Sequence, residues 1–195
     1  LSSAAFAGVV TFKGSVHNLE SVNPGRRFGG YWRLENGIVP ASGPAKDVAA
    51  VILDGSNGLH PPSPRTVTVQ LAGLDANPRI VVVGPGSVVE FQNDDKVTHE
   101  LSTPADPSLV PVERLSPGAR RHVKFDKLGA FVIRCAEFPH MMVSVLVVES
   151  PLFSAVDDKG NFAIPNAPEG KATLKVWSGG RWVYEGPVEV GPKET

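Results

Sequence analysis

Four residues in the second half of the chain could do chemistry together. Cys135 is the sequence's single cysteine, and His140 and Met141 follow it closely in RCAEFPHMM. His99 lies upstream, after the turn-forming stretch FQNDDKVT. A thiolate, imidazoles and a thioether are the soft donors that copper prefers as it cycles between its two oxidation states. Two His and one Cys with a weak axial Met make an electron-transfer site. His99, Cys135 and His140 would supply the equatorial donors, and Met141 would tune the potential from the axial side. Met142 competes for the axial place. Glu100 is a further donor, whose carboxylate would favour a more tetragonal centre. A metal-free reading stands beside these. In it Cys135 is a small buried hydrophobe, Phe138 fills the ligand pocket and His140 faces solvent.

Donors from distant parts of a chain need a rigid scaffold, and the sequence offers strands to build one. Short runs rich in Val, Ile, Thr and Phe recur between Gly, Pro, Asn and Asp, the signature of strands joined by tight turns. The pattern predicts strands at Val9–Lys13, Ala49–Leu53, Thr66–Leu71, Arg79–Val83, Ser87–Gln92, Arg121–Phe125, Ala130–Arg134, Met142–Val148, Asn161–Ile164, Ala172–Trp177 and Trp182–Val190. Asn18–Lys46 reads as an irregular excursion with a short strand at Tyr31–Leu34. No dozen residues hold a helical period. Cys135 would end one strand, and His99 would follow another after the Asn-Asp-Asp turn. Regular strands with turns between them imply a sandwich.

Composition narrows the partners. Nineteen Lys and Arg against 20 Asp and Glu leave a net charge of -1, so no basic field exists to hold nucleic acid or an anionic membrane. No apolar run approaches the roughly 18 residues of a membrane span, so membrane insertion is not expected. The motifs of nucleophilic hydrolases, phosphate-binding loops and dinucleotide folds are missing, and the expectation is a protein that is not an enzyme. Gly84-Pro85-Gly86 runs straight into a strand and reads as a turn. One cysteine permits no disulfide within the chain. The opening LSSAAFAG holds Ala5-Phe6-Ala7, the small-x-small form that a signal peptidase reads, and implies export. His122 alternates outward from Val123 and Phe125, and His17 and His60 lie in loops without ligand-spaced neighbours. Trp32, Trp177 and Trp182 read as core or seam anchors.

Phe91, Asn93 and Asp95, then His99, then a later strand ending at Cys135 with His and Met in the next loop, form a recognisable layout. Over residues 65–150 it resembles cupredoxins, above all the amicyanin-like and plastocyanin-like proteins of bacterial envelopes. The loop departs from that pattern. Amicyanin-like loops run Cys, two residues, His, Pro, aromatic, Met, whereas here Phe138 and His140 exchange the His and aromatic places. Azurin-like loops set His five after Cys, as His140 is, but their axial Met falls where this chain has Ser144. The tail AVDDKGNFAIPNAPEGKATLKVW resembles a carboxypeptidase-regulatory-like β module.

The resemblance implies an all-β fold: a Greek-key cupredoxin-like sandwich plus a smaller antiparallel β unit from the chain ends. Residues 1–64 would pair with a module at 151–195, flanking a cupredoxin-like domain at 65–150. It implies one copper ion on His99, Cys135, His140 and Met141, with a backbone N–H at Glu100 pointing at the sulfur. Location would be periplasmic or extracellular. The partner would be a redox protein or a larger envelope assembly. The alternative is a metal-free cupredoxin-fold subunit of an envelope complex.

Overall fold

The computed structural model describes residues 8–17, 49–54, 59–138, 140–157 and 159–191. Every regular element among them is a strand: β1 Val9–Ser15, β2 Ala49–Asp54, β3 Thr66–Ala72, β4 Asp75–Asn77, β5 Ile80–Val83, β6 Ser87–Asn93, β7 His99–Ser102, β8 Glu113–Leu115, β9 Arg120–Phe125, β10 Gly129–Cys135, β11 Met142–Val147, β12 Phe153–Ala155, β13 Asn161–Pro168, β14 Gly170–Ser178 and β15 Arg181–Val190. The eleven strands expected from the apolar pattern are among these. Four others, β4, β7, β8 and β12, span only three or four residues, too few for alternation to show in sequence. Tertiary pairing makes them strands. The excursion Asn18–Lys46, with Trp32 and Tyr31–Leu34, lies outside the described residues.

The chain divides into two compact units. The one that carries Cys135 spans the described residues between 61 and 149. It has a five-stranded sheet, β5-β11-β10-β7-β8, and a four-stranded sheet, β4-β3-β6-β9. β3 runs parallel to β6 and β5 parallel to β11, and the remaining pairs are antiparallel. In β9, Val123 and Phe125 turn inward while His122 and Lys124 face out, as the two-residue pleat requires. The core gathers Val69, Leu71, Val89, Phe91, Phe125, Ile133 and Val145. Gly84–Gly86 is a turn, with Gly86 at φ 83°, where a side chain would be strained. Truncating the wholly buried Phe125 to Ala should cost about 3–5 kcal/mol, read as a shift in the denaturant midpoint.

The other unit joins both chain ends. β1 pairs with β13, and a second sheet runs β12-β2-β14-β15. All of its pairs are antiparallel. Phe12, Val51, Leu53, Ile164 and Val176 share its core. The turn into β13 is closed by Asp157, whose Oδ1 accepts the N–H groups of Lys159 and Asn161 at 2.8 Å each, with Gly160 at φ 88°. The described residues are therefore all-β: a two-sheet sandwich, and a smaller antiparallel unit built from segments near both chain ends.

Candidate metal centre

β7 and β10 are antiparallel neighbours, with Cys135 opposite Leu101. His99 lies two residues from Leu101, so its side chain shares a face with those of Leu101 and Cys135. All three are buried. His99 Nδ1 stands 3.8 Å from Cys135 Sγ. Sequence distance is closed here by one strand pairing.

The approach to His99 is set by a local turn. Asn93 Oδ1 accepts the Asp95 N–H at 2.9 Å, while its amide nitrogen donates to the carbonyls of Val97 and Leu115 at 2.8 Å each. An Asn side chain reaching two residues ahead is a common turn device. It places Asp95 Oδ2 at 2.9 Å from His99 Nε2. A carboxylate only accepts, so Nε2 carries a hydrogen, and Nδ1 is the nitrogen that faces the sulfur.

Asp95 is also tied to the β3–β4 turn. Its Oδ1 accepts the Gly73 N–H at 2.6 Å and its Oδ2 the Leu74 N–H at 3.1 Å. Gly73 and Leu74 have φ values of 63° and 60°, a conformation uncommon for Leu, in which both N–H groups reach one carboxylate. The carbonyl of Leu74 then accepts His140 Nε2–H at 2.8 Å. One turn thus holds both histidines, His99 through Asp95 and His140 directly.

Burial works against ionising Cys135. Hydrogen bonds from His99 and from the N–H groups of Glu100, Phe138 and Glu137 outweigh it and hold the thiol below its usual range. Burial likewise opposes protonating His99, and Cys135 and Asp95 outweigh it, so the imidazole is held above its usual value. The pocket favours negative charge on sulfur, as a metal-binding thiolate needs.

The other residues singled out from sequence stand differently. Met141 is buried in the same core cluster as Cys135, and its carbonyl accepts the Cys135 N–H at 3.3 Å. His140 is directed to Leu74. Phe138 packs edge-on against His99, with ring centroids 5.4 Å apart, and against His140 at 6.3 Å. Glu100 follows His99 on β7, so its side chain takes the opposite face, and its carboxylate approaches Arg114 at 3.8 Å. Met142 opens β11, half-buried. Among the described residues no three or more His, Cys, Asp and Glu side chains are grouped to hold a metal ion. His99 and Cys135 are the pair brought together.

The sequence pattern marked Asp95 only as part of the turn. Its place four residues before His99 was the available signal for its contact with the imidazole. The Leu74 carbonyl carries no side-chain signal at all. Away from this site, His122 Nε2 meets Glu90 at 2.8 Å and the exposed His17 meets Ser15 Oγ at 2.8 Å. No helix among the described residues is long and apolar enough to cross a membrane.

No protein-family model matches the chain, and no curated protein matches it. Several solved structures do. Amicyanin from Paracoccus versutus is 15% identical, over 49% of this chain and 97% of that one, with a TM-score of 0.39. A purple cupredoxin from Nitrosopumilus maritimus is 20% identical, over 42% of this chain and 99% of that one, with a TM-score of 0.37. A copper-containing nitrite reductase from Thermus scotoductus is 27% identical, over 49% of this chain and 25% of that one, with a TM-score of 0.40.

Proposed function

We propose that this chain is an exported, cupredoxin-like copper protein that holds one copper ion on Cys135 and His99 and serves copper handling or electron transfer in the bacterial envelope. The observation that carries the reading is the 3.8 Å between His99 Nδ1 and Cys135 Sγ, with the other imidazole nitrogen fixed by Asp95. Donors bonded to one metal at about 2.0 Å through nitrogen and 2.3 Å through sulfur can stand at most about 4.3 Å apart, so this pair fits a shared ion. Thiolate with imidazole is a set that suits Cu(I). Met141, buried beside Cys135, is the third donor in this reading. His140, whose Nε2 donates to the Leu74 carbonyl, is not counted in this donor set. When bound, copper would supply a one-electron couple. The residues' own part is to keep the sulfur anionic, orient Nδ1 and exclude water with the Phe138 ring. The reading includes no catalytic step, and its partner is a redox protein or a larger envelope assembly.

Anaerobic titration against a chromophoric Cu(I) chelator tests it. One equivalent of copper should move to the protein. A second reading has an observation of its own: Phe138 packed on His99 and His140 tied to Leu74 suit a metal-free interaction subunit. No copper taken from even a weak chelator would favour that reading.

Asp95→Ala gives a graded check. It removes the acceptor for His99 Nε2 and leaves the Gly73 and Leu74 N–H groups without their carboxylate. Cu(I) affinity should fall roughly 10–100-fold, as when an outer-shell partner of a ligand is lost. The competition titration reads this, alongside a denaturation curve that should show about 1–3 kcal/mol lost for each buried group left unpaired.

A further inference from the structure

A cavity of about 580 Å³ lies within the unit built from the chain ends, a volume in the usual range of small-molecule sites. β1 and β13 form its floor. Alternate strand residues share a face, so the exposed Lys13 and Ser15 of β1 stand together, opposite Ala163 and Asn161 of β13. Asp157, from the turn before β13, joins the rim. Gly14 and Phe162 are paired across the floor. An added Cβ at Gly14 would stand 2.7 Å from the Phe162 ring, so the floor depends on glycine there.

The polar groups of this cavity narrow its ligand. Asp157 accepts from the N–H groups of Lys159 and Asn161 and from Asn161 Nδ2, which leaves about one of a carboxylate's roughly four acceptor places open. Lys13 brings ammonium donors, and the Asn161 carboxamide brings a second N–H and a carbonyl oxygen. Ser15 Oγ lies 2.8 Å from His17 Nε2 and keeps a further place. One ammonium and one carboxylate line the cavity, so their charges cancel and neither an anion nor a cation is selected. Ala155 and Ala163 set small apolar surfaces between these groups. We propose that the cavity binds a neutral saccharide, whose hydroxyls both donate and accept around the ring edge while its C–H face lies on the alanines. The proposal does not rest on copper.

Heteronuclear NMR spectra of the full chain, titrated with maltotriose, cellotriose and chitotriose to about 20 mM, test it in the range where weak ligands saturate. At least one sugar should shift the amides of Lys13, Ser15, Asn161 and Ala163, with a dissociation constant of about 1 mM, the scale expected for a ligand of one ring. Glucose and N-acetylglucosamine, run beside the trisaccharides, separate the sources. Equal affinity for the single sugar marks a free sugar, and tighter binding of the trisaccharide marks a glycan chain. Lys13→Ala and Asn161→Ala should each weaken binding roughly fivefold, the worth of one hydrogen bond. The same spectra show whether each variant keeps its fold. No shift at these amides with any of the sugars overturns the proposal. So does binding that both folded variants leave unchanged.

Discussion

Cys135→Ser should lower Cu(I) affinity by more than about a hundredfold, beyond the loss expected for an outer-shell partner. A serine hydroxyl stays protonated in this pocket and is a hard donor, whereas Cu(I) selects soft thiolate. The variant should still fold. Cys135 is buried, and its surroundings already suit a hydroxyl: His99 Nδ1 faces the site, and the N–H groups of Glu100, Phe138 and Glu137 point into it. A fully partnered polar group costs little to bury, so stability should change by about 1 kcal/mol. The paired measurements are the chelator competition and a urea midpoint. Unchanged copper affinity in the folded variant would remove Cys135 from the ligand set.

Phe138→His should have the second large effect, in the opposite direction. The Phe138 ring is 5.4 Å from that of His99, and its backbone N–H points at Cys135 Sγ. An imidazole there lies beside both donors already in place. Cu(II) affinity should rise more than tenfold, because a third strong ligand is added to a pair held by the fold. A thiolate-to-copper band should strengthen in the visible region with it. Phe138 packs against the sandwich core, so some apolar contact is lost, about 1–2 kcal/mol by the usual cost of removing buried surface. No gain in affinity with the fold retained would mean that the 138 side chain does not face the ligand pocket.

These two predictions rest on parts of the protein that differ in how readable they were. Alternation placed the long strands, because Val89, Phe91, Val123 and Phe125 each face the core with polar neighbours between them. The Asn93–Asp95 turn was legible because Asn side chains bond their own backbone. It did lead to His99. The strand β7 was not legible, since four residues give too little alternation to separate strand from loop. Yet β7 is what sets His99 beside Cys135.

The loop after Cys135 shows a different limit. Its composition gave the donors, while spacing alone left His140 and Phe138 as rivals for one place. His140 is oriented by a backbone carbonyl from a turn more than sixty residues away, at Leu74. A carbonyl is present in every residue, so no sequence pattern can reveal it. The positive φ of Leu74 is similarly invisible, because it occurs at a residue type that seldom adopts it. Glu100 was open as a ligand on adjacency, and the pleat of β7 turns its carboxylate toward Arg114 instead.

The measurement that bears most directly on the central claim is copper K-edge X-ray absorption of the Cu(I)-loaded protein. The spectrum should show at least one sulfur scatterer near 2.2–2.3 Å and one imidazole nitrogen near 2.0 Å, roughly the usual bond lengths for these donors. The sulfur should fall by one in Cys135→Ser and the imidazole signature should go in His99→Ala. Copper surrounded by oxygen and nitrogen alone, with Cys135 shown to be reduced, would contradict it.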